Sequence, residues 1–449
     1  MASANDEKDI LQAYEDPIRG VNSDIVAQTR VETLVWGFLL VWTGVMAQTA
    51  SLAEMAAAQP IAGAMYHWTW ALAPTDIRRF STWLQGWNTW TGWISMTVGI
   101  CNSTANWIIS LVQLNYPDYV ATGWHSTLMV FAMMVVCVAF NVYKFGRLVP
   151  WIESIAGGLH FAMFIAFSIT LLAMAKKHSA SFVFLSRVDA TQTSGWTNEF
   201  ISWNLGLQTS VWVFVGFDAA VHLSEEVRRA PNTVPRVMVY TNLPMLAVFL
   251  HATGSTRAAT AMGSLLVFNG ILALLSGVAS MSRLSWSWAR DGGLPKVFAY
   301  VDAQKRVPAR AVLFSSMLVV LLSLVNIGST VAMQVFISLS TIAMYLSYFI
   351  AILMMFLRRL SSSSSPSPQL GPWTMGKLGM PVNIFALVYT AYIIIWLPFP
   401  TTIPITGANF NYASPMLFFV ILLALGLWVF RRRTWPGLRE DIVEVAINK

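Results

Sequence analysis

The chain has 449 residues, 56% of them hydrophobic and only 11% charged, with a net charge of +7. Soluble globular domains carry roughly 25% charged residues, so a surface facing mostly water is excluded. The basic residues sit in short clusters between apolar runs and form no continuous face, which excludes nucleic acid as a partner and makes them topology signals.

In chain order, residues 1–30 form a polar tail rich in acidic residues (Asp6, Glu7, Asp9, Glu15, Asp16) without the apolar centre of a secretory signal. Crossing a bilayer core of about 30 Å takes about 20 mainly apolar residues per helix. Ten runs meet that standard, at 33–57, 84–113, 122–142, 150–174, 202–222, 258–281, 309–328, 331–357, 382–400 and 412–430. Transmembrane strands are excluded because the runs are apolar all round and do not alternate. Twenty Trp, 26 Phe and 12 Tyr suit a protein with two membrane–water interfaces. Ser361 to Pro368 reads as a loop. Residues 31–432 thus read as one membrane domain, with 433–449 a cytoplasmic tail. Cys101 and Cys137 fall inside apolar runs and give no disulfide framework.

The basic clusters set the orientation. Arg78 and Arg79, Lys144 and Arg147, Arg228, Arg229 and Arg236, Arg290 to Arg310, Arg358 and Arg359, and Arg431 to Arg433 mark loops on one side. The loops at 114–121, 329–330 and 401–411 contain no Lys or Arg. That is the positive-inside pattern, with the basic loops cytoplasmic. Parity then fails twice. One span precedes the first cytoplasmic loop, and only one lies between the basic loops at 223–236 and 290–310. Val237 to Gly254, short and carrying Asn242, Pro244 and His251, is the candidate for a shortened helix. A helix before Val31 is expected to be absent.

Four motifs carry a family resemblance. They are SLAEMAAAQPIAGAMYHW (Ser51 to Trp68), GFDAAVHLSEE (Gly216 to Glu226) followed by VPR (Val234 to Arg236), ASMSRLSWSWARDGGLP (Ala279 to Pro295) and NIFALVYTAYIIIWLPFP (Asn383 to Pro400). With these the chain resembles the amino acid–polyamine–organocation (APC) transporters, in particular the fungal permeases for amino acids, choline and γ-aminobutyrate (GABA), from about Leu34 to Pro436. The resemblance implies an all-α, polytopic helical bundle of twelve helices, built as two inverted five-helix repeats plus two more (the leucine-transporter-like plan). Matched to that plan, this chain has about 10–11 helices and lacks helix 1 and most of helix 7, the two places where parity fails.

The resemblance also implies a substrate near the midplane, at a helix whose centre is unwound. Gly216 lies inside the fifth run, and glycine permits such a break. Trp212, Val215, Gly216, Phe217 and Asp218 are therefore the candidate substrate residues. Trp212 stands about where related carriers place an aromatic gate, whose indole face attracts ammonium groups; an ordinary interior Trp is the other reading. Asp218 is costly inside a span and could pair with a cationic substrate, relay a proton or hold the broken helix. His222 could assist proton coupling, since histidine is the side chain whose ordinary pKa lies nearest neutral pH, or serve only as a hydrogen-bonding group. Glu225 and Glu226, with Arg228, Arg229 and Arg236, are expected to form a cytoplasmic charge network. Glu54, Glu153 and Arg283 are candidate gate members or plain interfacial charges. Gln85, Asn88, Asn102 and Asn106 read as interhelical hydrogen-bonding residues or solute contacts.

Gly371 to Leu378 mimics a phosphate loop in its G-x-x-x-x-G-K spacing but ends in Leu where Mg²⁺ needs Ser or Thr, and no strand precedes it. No metal, dinucleotide or other cofactor pattern is present, so no cofactor and no enzymatic activity are expected. The expectation is a secondary carrier for amino acids, GABA or choline, multi-pass and in the plasma membrane. Its partners are the small-molecule substrate, protons, as in a symporter, and the lipid bilayer. A transport-inactive relative acting as a sensor or interaction protein is the alternative.

Overall fold

The computed structural model describes residues 33–142, 149–174, 194–241, 256–302, 307–328, 332–361, 370–407 and 409–438. Among these residues every regular element is helical. A single wide turn, Thr33–Gly37, leads into α1 (Phe38–Ala58); then come α2 (Met65–Leu72), α3 (Thr75–Asn115), α4 (Gly123–Val142), α5 (Val149–Met174), α6 (Glu199–Val213), α7 (Ala219–His222), α8 (Ala230–Thr241) and α9 (Thr256–Arg290). After these come α10 (Ala309–Ser323), α11 (Ala332–Leu360), α12 (Gly379–Trp396) and α13 (Ala413–Arg431).

Among the described residues, eight helices are long and apolar enough to cross a bilayer: α1, α4, α5, α9, α10 with the turn after it, α11, α12 and α13. The chain is thus an all-α, multi-pass membrane protein. Large apolar side chains are exposed along its flanks, including Phe161 and Leu172 on α5, Val388 and Ile395 on α12, and Phe418, Phe419 and Phe430 on α13. Such ridges are stable against hydrocarbon, not against water.

Two predicted spans differ from the expectation, each for a physical reason. The run at 84–113 belongs to a 41-residue helix that begins at Thr75. At about 1.5 Å per residue it is about twice the thickness of the bilayer core. Its buried face carries Gln85, Asn88, Thr89, Asn102 and Thr104, so α3 is a central scaffold and too polar to pass as a lipid-facing span. The run at 202–222 is not one helix, because α6 stops at Val213 and α7 starts only at Ala219. Val237 to Thr241 finish α8; residues 242–255, the bulk of the predicted shortened helix, and the 1–30 tail lie outside the described residues.

The loops sort by charge. Arg79 hydrogen-bonds the carbonyls of Arg432 (3.1 Å) and Trp435, Arg431 that of Gly292 (2.8 Å), and Arg290 pairs with Glu225, all at one end. At the other, Ile403 N–H donates to Ser194 O (2.8 Å) and Gly123 packs on Asn326, next to the Lys- and Arg-free loops. The tail read as starting at 433 is at first part of the fold. Trp435 and Leu438 are buried, with Trp435 amid Trp70, Trp83, Trp288 and Trp428.

Candidate functional site

The break in the fifth run is built around Gly216. Its φ of +94° lies in the left-handed region that side chains rarely adopt, and a Cβ there would meet the Met96 methyl at 2.3 Å. Phe214 N–H bonds Val211 O (3.2 Å), Val215 N–H bonds Trp212 O (3.2 Å) and Ala219 N–H bonds Gly216 O (3.0 Å). Among the described residues this leaves the N–H groups of Phe217 and Asp218 without a backbone acceptor. Unwinding therefore uncovers main-chain polar groups in the middle of the bundle.

All five candidate substrate residues meet at this break, but they face two ways. Trp212, Val215 and Gly216 are half-buried, as is Met96 opposite them on α3. The Trp212 indole lies over Gly99 of α3, beside Ile337 of α11. Phe217 is buried against the Tyr348 ring, centroids 4.9 Å apart. Asp218 is wholly buried.

Both oxygens of Asp218 have partners. Tyr348 O–H donates to Oδ1 (2.7 Å), the Trp93 indole N–H donates to Oδ2 (3.2 Å), and His222 Nε2 stands 3.3 Å from the same Oδ2. On its other side His222 Nδ1 is 2.7 Å from the carbonyl oxygen of Ala62. A carbonyl only accepts, so Nδ1 carries a hydrogen. Nε2 and Oδ2 then form a hydrogen bond only when one of them is protonated. Trp93 closes one side of this buried pair, its ring meeting the imidazole edge-on at 5.0 Å.

The charged residues below the break pair differently from the sequence expectation. Glu225 accepts from Ala62 N–H (3.1 Å) and from Arg290 (3.4 Å), and Glu226 pairs with Arg283 (2.8 Å). Among the described residues their ion-pair partners thus come from α9, not from Arg228, Arg229 or Arg236, because α9 is the helix packed under α7. Glu54 is buried and pairs with Arg359, which also reaches Asn383; Met375 N–H donates to the other Glu54 oxygen (3.1 Å). Glu54 and Arg283 therefore belong to separate ion pairs. Glu153 lies on α5, and its side chain is outside the described residues. Gln85 and Asn88 bridge α3 to Ser347 and Ala343 on α11, Asn102 accepts from Asn326 (2.7 Å), and Asn106 accepts from Ser126 (3.5 Å), all interhelical bonds.

Three contributors went unread in the sequence. Asp291, outside the membrane spans, accepts from Tyr66 (2.7 Å) and Arg290 (3.4 Å) and binds His67 (2.9 Å). Burial works to raise its carboxyl, but His67 and then Arg290 outweigh that and hold it below the usual range. Arg359 read only as a topology signal, and Ala62 acts through its main chain, which no side-chain pattern reveals. The phosphate-loop mimic has a packing role, since Gly371 lies so close to the backbone of Ala57 that a Cβ would stand 2.0 Å from its carbonyl oxygen.

Comparison with known proteins covers most of the chain. A sequence model of the amino acid permease family matches residues 20–244 and 240–425. The chain is 25% identical over 450 residues to a choline transporter of Saccharomyces cerevisiae, covering 92% of this chain and 78% of that protein. An amino-acid permease of Arabidopsis thaliana is 25% identical over 451 residues (90% and 85%), and amino-acid permease 2 of Neurospora crassa is 25% identical over 436 (88% and 77%).

Proposed function

Since the chain belongs to the amino acid permease family, and is thus a membrane transporter of amino acids or related amines, we propose that it is a proton-coupled carrier working by alternating access. Its solutes are small amines of the amino acid, GABA or choline type, and its membrane is the plasma membrane. The observation that carries this reading is the helix break at Gly216, set beside the buried Asp218–His222 pair.

A solute at the break meets Trp212, Val215 and Gly216. The indole face of Trp212 attracts an ammonium group by about 0.5–2 kcal/mol. Main-chain groups freed by the break bind the polar end, as in other carriers with discontinuous helices. Asp218 is sealed away from the solute, so its part is to hold the proton with His222. Losing that proton leaves two lone pairs facing each other at 3.3 Å. An unsatisfied buried polar group costs about 1–3 kcal/mol, enough to bias an equilibrium between inward-open and outward-open forms by about tenfold. Glu54–Arg359, Glu225–Arg290 and Glu226–Arg283 act as cytoplasmic gate pairs that part when the inner side opens.

The test is uptake of labelled choline, GABA and amino acids into a permease-deficient host, with and without an acid external medium. The proposal requires uptake of at least one of them, stimulated by acid and lost in Gly216→Leu at unchanged expression. A second reading has one observation behind it, the division of the family match into segments that meet at 240–244. It is a transport-inactive relative serving as a sensor or partner-binding protein, and the absence of uptake for every solute, with normal membrane insertion, favours it.

A further inference from the structure

We infer that Glu225 is a positioning residue for the His222 proton site, acting through the main chain of Ala62. This rests on the reading of Asp218 and His222 as that site. Ala62 is gripped from both sides. Its N–H donates to Glu225 Oε1 at 3.1 Å, and its carbonyl oxygen accepts from His222 Nδ1 at 2.7 Å. The segment between α1 and α2 that carries it is buried at Ile61, Ala62 and Ala64. Ala64 sits at a φ of +45°, a strained value for a residue with a side chain. A strained backbone persists only where its surroundings over-determine it, and here those surroundings include the Glu225 carboxylate.

The consequence for His222 follows from hydrogen-bond chemistry. With the Ala62 carbonyl in place, Nδ1 keeps its hydrogen and Nε2 is left to receive the proton beside Asp218. Without it, nothing fixes which nitrogen is protonated, and the imidazolium loses an acceptor that favours it. Glu225 also binds Arg290 (3.4 Å), and the adjacent Asp291 holds Tyr66 and His67 at the start of α2. Parting of the Glu225–Arg290 pair therefore frees the carboxylate that pins Ala62. Opening of the inner gate and release of the proton then become one event. Of the titratable and charged groups near the pair, Tyr348 on α11 donates to Asp218 (2.7 Å), and Glu225, with Arg290 beyond it, reaches His222 through Ala62; Trp93 on α3 supplies a neutral donor.

The test reads the imidazole directly and needs no transport. Purified protein carrying isotope-labelled histidine is followed by nitrogen magnetic resonance from about pH 5 to 8, with His222→Asn assigning the signal. In the wild type, neutral His222 is expected as a single tautomer with hydrogen on Nδ1. Glu225→Gln, whose amide oxygen still accepts from Ala62, keeps that tautomer. Glu225→Ala populates both tautomers and lowers the midpoint by about half a pH unit or more. Glu225→Ser, too short to reach Ala62, is expected to match it and serves if the alanine variant does not fold. A wild-type tautomer and midpoint in the Ala or Ser variant overturns the inference and leaves the proton-site reading standing. A His222 that does not titrate in the wild type overturns both.

Discussion

Asp218→Asn is the most informative single change at the break. The carboxylate accepts from Tyr348 on one oxygen and from Trp93 on the other, beside His222. Asparagine offers one oxygen and one NH2 group. With the oxygen kept against Tyr348, the NH2 donates to His222 Nε2 but meets the Trp93 N–H donor to donor. A hydrogen bond to a charged group, worth about 1.5–3 kcal/mol, is lost, and the orphaned indole N–H adds about 1–3 kcal/mol. The expected destabilisation is about 2.5–6 kcal/mol. Cys101 and Cys137 are both free and buried, so a thiol-reactive dye reports unfolding in detergent. Trp93→Phe removes the opposing donor, so it should cost stability in the wild type and restore part of it in Asp218→Asn. A cycle in which the two changes simply add, or an Asp218→Asn protein as stable as the wild type, would refute the assigned contacts.

Other outcomes follow from the same geometry. Gly216→Ala forces a side chain to φ +94°, at about 1–3 kcal/mol, and should reduce uptake; Met96→Ala should not rescue it, because the backbone strain remains. Arg359→Ala strands the buried Glu54 carboxylate and should cost about 3–5 kcal/mol in the dye assay, with Glu54→Gln markedly milder. Asp291 has a depressed folded pKa, so its contribution to stability is present above its unfolded value of about 3.9 and lost as pH falls through the folded value. The gap in melting temperature between wild type and Asp291→Asn should thus close as the pH falls below about 4.

The sequence carried the bundle and the place of the break because both have local signatures. Long apolar runs need no tertiary context, and a glycine followed by Phe217 and Asp218 inside such a run contradicts a plain helix. What it could not carry was direction. Asp218 looks like an open charge in the sequence, yet its donors come from Trp93 and Tyr348, 125 and 130 positions away. Glu225 and Glu226 stand beside three arginines in sequence but bind Arg290 and Arg283, since pairing follows the packing of α9. The length of α3 was underread because Asp76, Arg78 and Arg79 break the apolar run near its start, and Ala62 was invisible because its work is done by the main chain.

The account turns on solute and proton moving together past the break, and reconstituted vesicles measure that directly. With purified protein in liposomes holding an internal pH dye, adding choline, GABA or an amino acid outside should acidify the lumen as the solute enters. The acidification should vanish in Asp218→Asn and His222→Asn. Solute entry with no proton movement in the wild type, or proton movement that survives loss of both residues, would contradict the account.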